Sequence, residues 1–157
     1  MLPNVEKVAN EAGVPFEAVE LEGLGEADVV ISITSTFAPT IMADHISAGT
    51  HIACMGTDTK GKQEVEAALL ARATVFTDEV AQSISIGEAQ HAIEAGLIQE
   101  ADVHQIGAVI NATHKGRTSD DEITLFDGTG VGLQDLAVSA AIVRMAIEQG
   151  VAIEVDF

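Results

Sequence analysis

Tryptophan and tyrosine are missing from this chain, and five phenylalanines make up its whole aromatic content. An aromatic-rich β-sandwich is therefore disfavoured, and small-residue packing of helices on a sheet is the better fit. Basic residues are scarce too: seven Lys and Arg stand against 25 Asp and Glu, a formal net charge of −18. Such a surface repels nucleic acid and anionic membranes, so neither is expected as a partner. It also repels itself in dilute buffer. Concentrated salt screens that repulsion, since the Debye length falls to about 3 Å at about 1 M, and the imbalance predicts a salt-requiring protein from a halophile. The single cysteine, Cys54, rules out a disulfide within the chain. Its place inside an apolar run marks it as a small core residue rather than a catalytic thiol. No apolar stretch is long enough to span a bilayer, and the first residues do not form a signal peptide. A cytoplasmic protein is expected.

What is present is a 157-residue chain, 47% apolar and rich in Ala, Val and Ile, enough for one domain with a real core. Met1 to Glu11 reads as a helix with Leu2, Val5, Val8 and Ala9 on one face. Phe16 to Leu21 alternates like a half-buried strand. Val29 to Ile33 is a continuous apolar run, the pattern of a strand covered on both faces. Thr40 to Ser47 reads as a short helix, His51 to Gly56 as a buried strand, Gln63 to Arg72 as a helix with Val65, Leu69 and Leu70 inward, and Ala73 to Thr77 as another short strand. In the second half Ile86 to Ala95 and Val103 to Ile110 read as helices and Ile123 to Asp127 as a strand. Leu133 to Glu148 reads as a long helix carrying a stripe of Leu136, Ala140, Val143 and Ile147. Val151 to Phe157 reads as a terminal strand. Strands alternating with helices predict an α/β fold with a parallel sheet.

The chemistry concentrates in Gly49 to Val65. Asp58, Lys60 and Lys62 fall within five residues, between a buried strand and a helix, where open α/β sheets place ligands. Parallel strands would bring four turns to one edge: the hydroxyls of Thr34, Ser35 and Thr36, the charged Gly56 to Lys62 loop, Thr77 with Asp78, and Gly128 to Gly132, whose amides open the long helix. Each signal has a plain reading beside the functional one. The GTGVG segment lacks the last glycine of a dinucleotide fingerprint and serves equally as a turn. The Thr34 to Thr36 stretch serves as a capping loop, and Asp58 with its lysines as a solvated turn. The five histidines show no metal-ligand spacing, and no metal site is expected. A receiver-like module would need a cluster of acids at the end of an early strand, whereas Asp28 precedes its strand.

ADVVISITST (Ala27 to Thr36), GTHIACMGTDTKGKQEV (Gly49 to Val65), ARATVFTD (Ala71 to Asp78) and DEITLFDGTGVGLQDLA (Asp121 to Ala137) together resemble, in this order, the ornithine cyclodeaminase and mu-crystallin family. The G-x-D-x-x-G-K-x-E loop and the L-F-D-G-T-G-x-G-x-Q-D segment are specific in combination. The resemblance implies a partial Rossmann-like NAD(P)-binding domain with a parallel sheet and a long C-terminal helix. It implies NAD, with NADP possible, as cofactor, and a small amino acid or imine as substrate. It implies Asp58 as the catalytic acid/base, Thr34, Ser35, Thr36, Gly130, Val131 and Gly132 at the cofactor, and Lys62 as support for Asp58 or a cap of its turn. An ornithine cyclodeaminase-like reaction is the first expectation: oxidation to an imine, cyclisation, ammonia release and re-reduction. Alanine dehydrogenase or imine and ketimine reductase is the second, and a non-catalytic ligand-binding or oligomerisation lobe the third. Family members are about twice this length, so residues 1–157 are expected to be a truncated nucleotide-binding domain. The substrate and dimerisation domain is expected to be absent, and the full-length protein a homodimer. The usual strand order would then leave Val29 to Ile33 as an exposed apolar edge.

Overall fold

The computed structural model describes residues 2–155. Five strands form one parallel sheet: β1 (Val29–Ser32), β2 (His51–Cys54), β3 (Ala73–Thr77), β4 (Val103–Gln105) and β5 (Ile123–Asp127). Their spatial order is β1-β2-β5-β3-β4. The last strand in sequence therefore lies at the centre, with Ile52 and Val75 facing Leu125 from its two neighbours. All three are buried, as expected of a strand enclosed by parallel partners. A succession in which β3 follows β2 directly does not occur, because β5 inserts between them.

The helices are α1 (Leu2–Ala12), α2 (Ala67–Leu70), α3 (Val80–Ser83), α4 (Ala89–Glu94), α5 (Ile106–Ile110) and α6 (Gly132–Glu148). One face of the sheet packs against α2 and α4. Ile52, Cys54, Val75 and Leu125 meet Leu69, Leu70, Ala89 and Ala92 there, with Ile41 and Val65 completing the cluster. Each fully buried Leu, Ile or Val in it contributes about 1.5–3 kcal/mol.

Several local expectations give way to tertiary context. Val14 to Glu20 has no strand partner, and Leu21–Glu26 is a 3-10 turn, so the alternating Phe16 to Leu21 pattern makes no ladder. The expected Thr40 to Ser47 helix is only a 3-10 turn at Ala43–His45, because Ile41 bridges in parallel to Val65. That bridge also shortens the expected Gln63 to Arg72 helix to α2. The expected Val103 to Ile110 helix divides, because Val103 pairs with Val75 and extends the sheet before α5 begins. Residues 151–155 form no strand, and Asp156 and Phe157 of that expectation, like Met1 of the first helix, lie outside the described residues.

β1 is covered on one face only. Val30 and Ser32 point into the core, whereas Val29 and Ile31 are 56% and 71% exposed. The apolar run is thus an exposed edge, not a strand enclosed on both sides. α6 has no buried residue, so the stripe of Leu136, Ala140, Val143 and Ile147 faces solvent. Among the described residues no helix is long and apolar enough to cross a membrane.

Candidate active site

Because all five strands are parallel, the segments leaving their carboxyl ends share one edge of the sheet. β1 runs into Thr34–Thr36, β2 into the Gly56–Lys62 loop, β3 into Asp78, and β5 into Gly128–Gly132. The turns are joined by hydrogen bonds rather than merely adjacent.

Asp58 is exposed on its loop. Lys62 Nζ donates to Asp58 Oδ1 at 2.7 Å and Thr59 Oγ1 does so at 3.1 Å. The Lys62 hydrogen bond, followed by that of Thr59, holds the Asp58 carboxyl below its usual range. Lys62 Nζ also reaches the Gly56 carbonyl at 3.4 Å. The same lysine thus stabilises the ionised carboxylate and closes the turn. Lys60 is exposed.

Thr34 turns inward through both of its donors: its N–H and Oγ1 reach Glu64 Oε1 at 2.5 and 2.7 Å. Ser35 is exposed. Thr36 makes a local turn, with Oγ1 donating to the Ala38 carbonyl at 2.8 Å, and its own carbonyl accepts from Gln63 N–H at 3.1 Å. Gly130 has φ +78, and a Cβ there would meet nothing within 4 Å. Its N–H donates to Asp78 Oδ2 at 2.8 Å, while Thr129 N–H and Oγ1 donate to Asp78 Oδ1 at 3.1 and 2.7 Å. Burial pushes the Asp78 carboxyl up, but the donors from Thr129, Gly130 and Glu79 outweigh it and hold it below its usual range. Val131 caps α6 with extended backbone and no side-chain hydrogen bond, so Gly132 opens the helix with its first-turn amides free of a side-chain cap. Such a terminus favours an anion.

Beneath the turns lies a set of buried acids that the motif reading passed over. Glu64 Oε1 also accepts from Ser32 Oγ at 2.5 Å, and Oε2 accepts from Gly56 N–H at 2.8 Å. Burial pushes the Glu64 carboxyl up, but the donors of Ser32, Thr34 and Gly56 together hold it low. Glu88 accepts from Thr57 Oγ1, from Glu64 N–H at 2.8 Å and from Val65 N–H at 3.3 Å. Here burial, with Glu64 nearby, prevails over the donors and raises the carboxyl. Asp127 Oδ2 accepts from Ser83 Oγ at 2.5 Å and Glu88 N–H at 2.9 Å, while its Oδ1 is buried without a partner. Burial, followed by the charges of Glu88 and Asp78, pushes the Asp127 carboxyl up to about 7. Cys54 Sγ and carboxylate oxygens of Glu64 and Glu88 lie within 4.8 Å of one another. Protein donors already occupy both carboxylates. Burial, with the neighbouring acids, raises the Cys54 thiol well above its usual value, which makes it inert.

Two of these acids are motif positions: Glu64 is the last residue of G-x-D-x-x-G-K-x-E, and Asp127 is the first aspartate of L-F-D-G-T-G-x-G-x-Q-D. Glu88 has no such signal, and in a chain with 25 acids it looks like any other surface carboxylate.

The profile of the ornithine cyclodeaminase/mu-crystallin family matches residues 4–150, and the chain belongs to that family. The iminosuccinate reductase of Paracoccus denitrificans is 61% identical to it over 157 residues, which are 99% of this chain and 49% of the relative. The crystal structure of that enzyme in complex with NAD+ superposes with a TM-score of 0.95 over 100% of this chain and 49% of its own. The alanine dehydrogenase of Archaeoglobus fulgidus is 34% identical over 148 residues, 94% of this chain and 46% of the relative. An archaeal alanine dehydrogenase dimer with bound NAD, also 34% identical, superposes with a TM-score of 0.90 over 96% of this chain and 48% of its own. The chain therefore spans about half the length of the relatives it matches.

Proposed function

We propose that this chain is the nucleotide-binding portion of an NAD-dependent reductase that converts the C=N bond of a small α-imino acid to an amine. Iminosuccinate is the substrate we favour, and a homodimer the assembly. The observation that carries this reading is the 61% identity to an iminosuccinate reductase along 99% of the chain. It supports the reductase and dehydrogenase expectation rather than specifically cyclodeamination.

The residues at the sheet edge suit NAD. The uncapped start of α6 offers amides to a negatively charged group, and Gly130 leaves open space where another residue would place a Cβ. Ser35, Thr36, Gly130, Val131 and Gly132 would hold the cofactor, with Thr34 anchoring the first of these turns to Glu64. NADH, when bound, supplies the hydride. Asp58 is ionised beside Lys62 and exposed at the same edge, so it can accept a hydrogen bond from a protonated imine nitrogen. That keeps the proton on nitrogen while the carbon takes the hydride, and an amine results. In the reverse direction the same carboxylate takes the amine's proton.

The test joins this chain to the portion of the Paracoccus relative that it does not cover. Iminosuccinate, formed in place from oxaloacetate and ammonia, should drive loss of NADH absorbance. NADH loss with pyruvate and ammonia but not with oxaloacetate and ammonia would replace this assignment with alanine dehydrogenase. Ammonia release from ornithine without net NADH change would replace it with a cyclodeaminase.

A further inference from the structure

We propose that Glu64 is a positioning residue that sets the spacing between the two turns of the candidate active site, Thr34–Thr36 and Gly56–Asp58. Glu88 and Asp127 hold it in place from beneath. The proposal rests on the assignment of those turns to cofactor and acid/base roles.

Glu64 is fully buried and gives one oxygen to each turn. Oε1 accepts from Ser32 Oγ, Thr34 N–H and Thr34 Oγ1, and Oε2 from Gly56 N–H. A side-chain amide cannot replace it, because its NH2 group would face either the Thr34 N–H or the Gly56 N–H, donor against donor. The turns also touch directly: a Cβ on Gly56 would lie 2.0 Å from the Thr34 carbonyl oxygen and 2.6 Å from its nitrogen. Glycine permits that approach and the carboxylate fixes it.

The carboxylate is in turn fixed by a relay of backbone amides. Glu64 N–H donates to Glu88 Oε1, and Glu88 N–H donates to Asp127 Oδ2. Asp127 ends β5, next to the Gly128–Gly132 turn. Each acid thus accepts the main-chain donor of the one before it, and three strand ends are bound into one frame. The buried negative charge sits at Glu64, where donors are most numerous. Burial drives Glu88 and Asp127 toward their neutral forms.

Amide exchange on this chain tests the idea without relying on turnover. In Glu64→Gln the Thr34 and Gly56 amides should exchange together about tenfold to a hundredfold faster, the expected effect of losing a hydrogen bond to a buried charge. The Ile52 and Leu125 amides in the sheet should stay protected. Thr34→Val, which removes one hydroxyl donor and keeps the shape, should loosen the Thr34 turn alone and serves if Glu64→Gln fails to fold. In the joined protein, Glu64→Gln should lower kcat at least tenfold and change the KM for NADH less than about threefold. It should add little to Asp58→Asn in the double variant. Unchanged exchange at both amides, uniform loss of protection across the sheet, or fully additive kinetic losses would overturn the proposal. Turns that loosen together while Asp58→Asn keeps full turnover would support the spacing role and sink the assignment of Asp58 instead.

Discussion

Lys62 Nζ stands 2.7 Å from Asp58 Oδ1, with the lysine side chain 16% exposed and the aspartate side chain 61%. The cation is shielded at the base of the loop and the anion is presented to solvent. In the joined protein Asp58→Asn should lower kcat about a hundredfold to ten-thousandfold, the range for loss of a general acid/base, while NADH still binds. Lys62→Met removes the main influence that holds the Asp58 carboxyl low. The acid limb of its kcat–pH profile should therefore move to higher pH. Steady-state kinetics across pH checks both.

Asp127 predicts an unusual pH dependence of stability. Its carboxyl is raised from 3.8 to about 7 in the folded protein, so between those values the folded state holds a proton that the unfolded state has released. The contribution of Asp127 is therefore fully present below about pH 4 and is lost as pH rises through about 7, a change of a few kcal/mol. Asp127→Asn keeps an oxygen for Ser83 and Glu88 and cannot ionise. Chemical denaturation from pH 4.5 to pH 8 should show a decline in the parent protein that is flattened in the variant (the pH range is approximate). Glu64 and Asp78, held low, act oppositely: their contributions are lost as pH falls through their folded values.

Two glycine substitutions should separate close approach from backbone strain. Gly56→Ala would drive its methyl into the Thr34 backbone, and should cost about 1–3 kcal/mol or more, as overpacking does. Gly130→Ala meets open space and bears only the cost of φ +78, about 1–2 kcal/mol. Thermal or denaturant unfolding of the two variants should rank them in that order.

The charge imbalance makes a claim about salt. Only two ion pairs occur among the described residues, Lys7 with Glu11 and Lys62 with Asp58. Most of the 25 acids therefore have no cation beside them. Raising KCl from about 0.1 M to about 2 M should raise the unfolding midpoint, as the screening length drops from about 10 Å to below about 3 Å. A midpoint that does not move would remove the expectation of a halophilic protein.

The sheet was legible where a strand's own residues determine its state. Ala73–Thr77 and Ile123–Asp127 are short β-branched runs bounded by turn residues, and both form as expected. The long helix likewise spans Gly132–Glu148. Strand order was not legible, because the place of β5 between β2 and β3 depends on neighbours distant in sequence. Val103 illustrates the same limit: its segment reads as helix until Val75 offers a backbone to pair with. At the candidate site, the Asp58 loop and the GTGVG turn announced themselves by glycine and charge. The burial of Glu64, Glu88 and Asp127 did not, since an acid is buried only where donors such as Ser32, Thr57 and Ser83 converge on it from far along the chain.

Every buried residue among those described falls between Ala9 and Thr129. Removing everything beyond Val131 would therefore strip away no interior. A protease that clips at Gly132 should leave a product with the melting profile of the intact chain, and the freed peptide, cut off from any cooperative unit, should lose its helical circular dichroism.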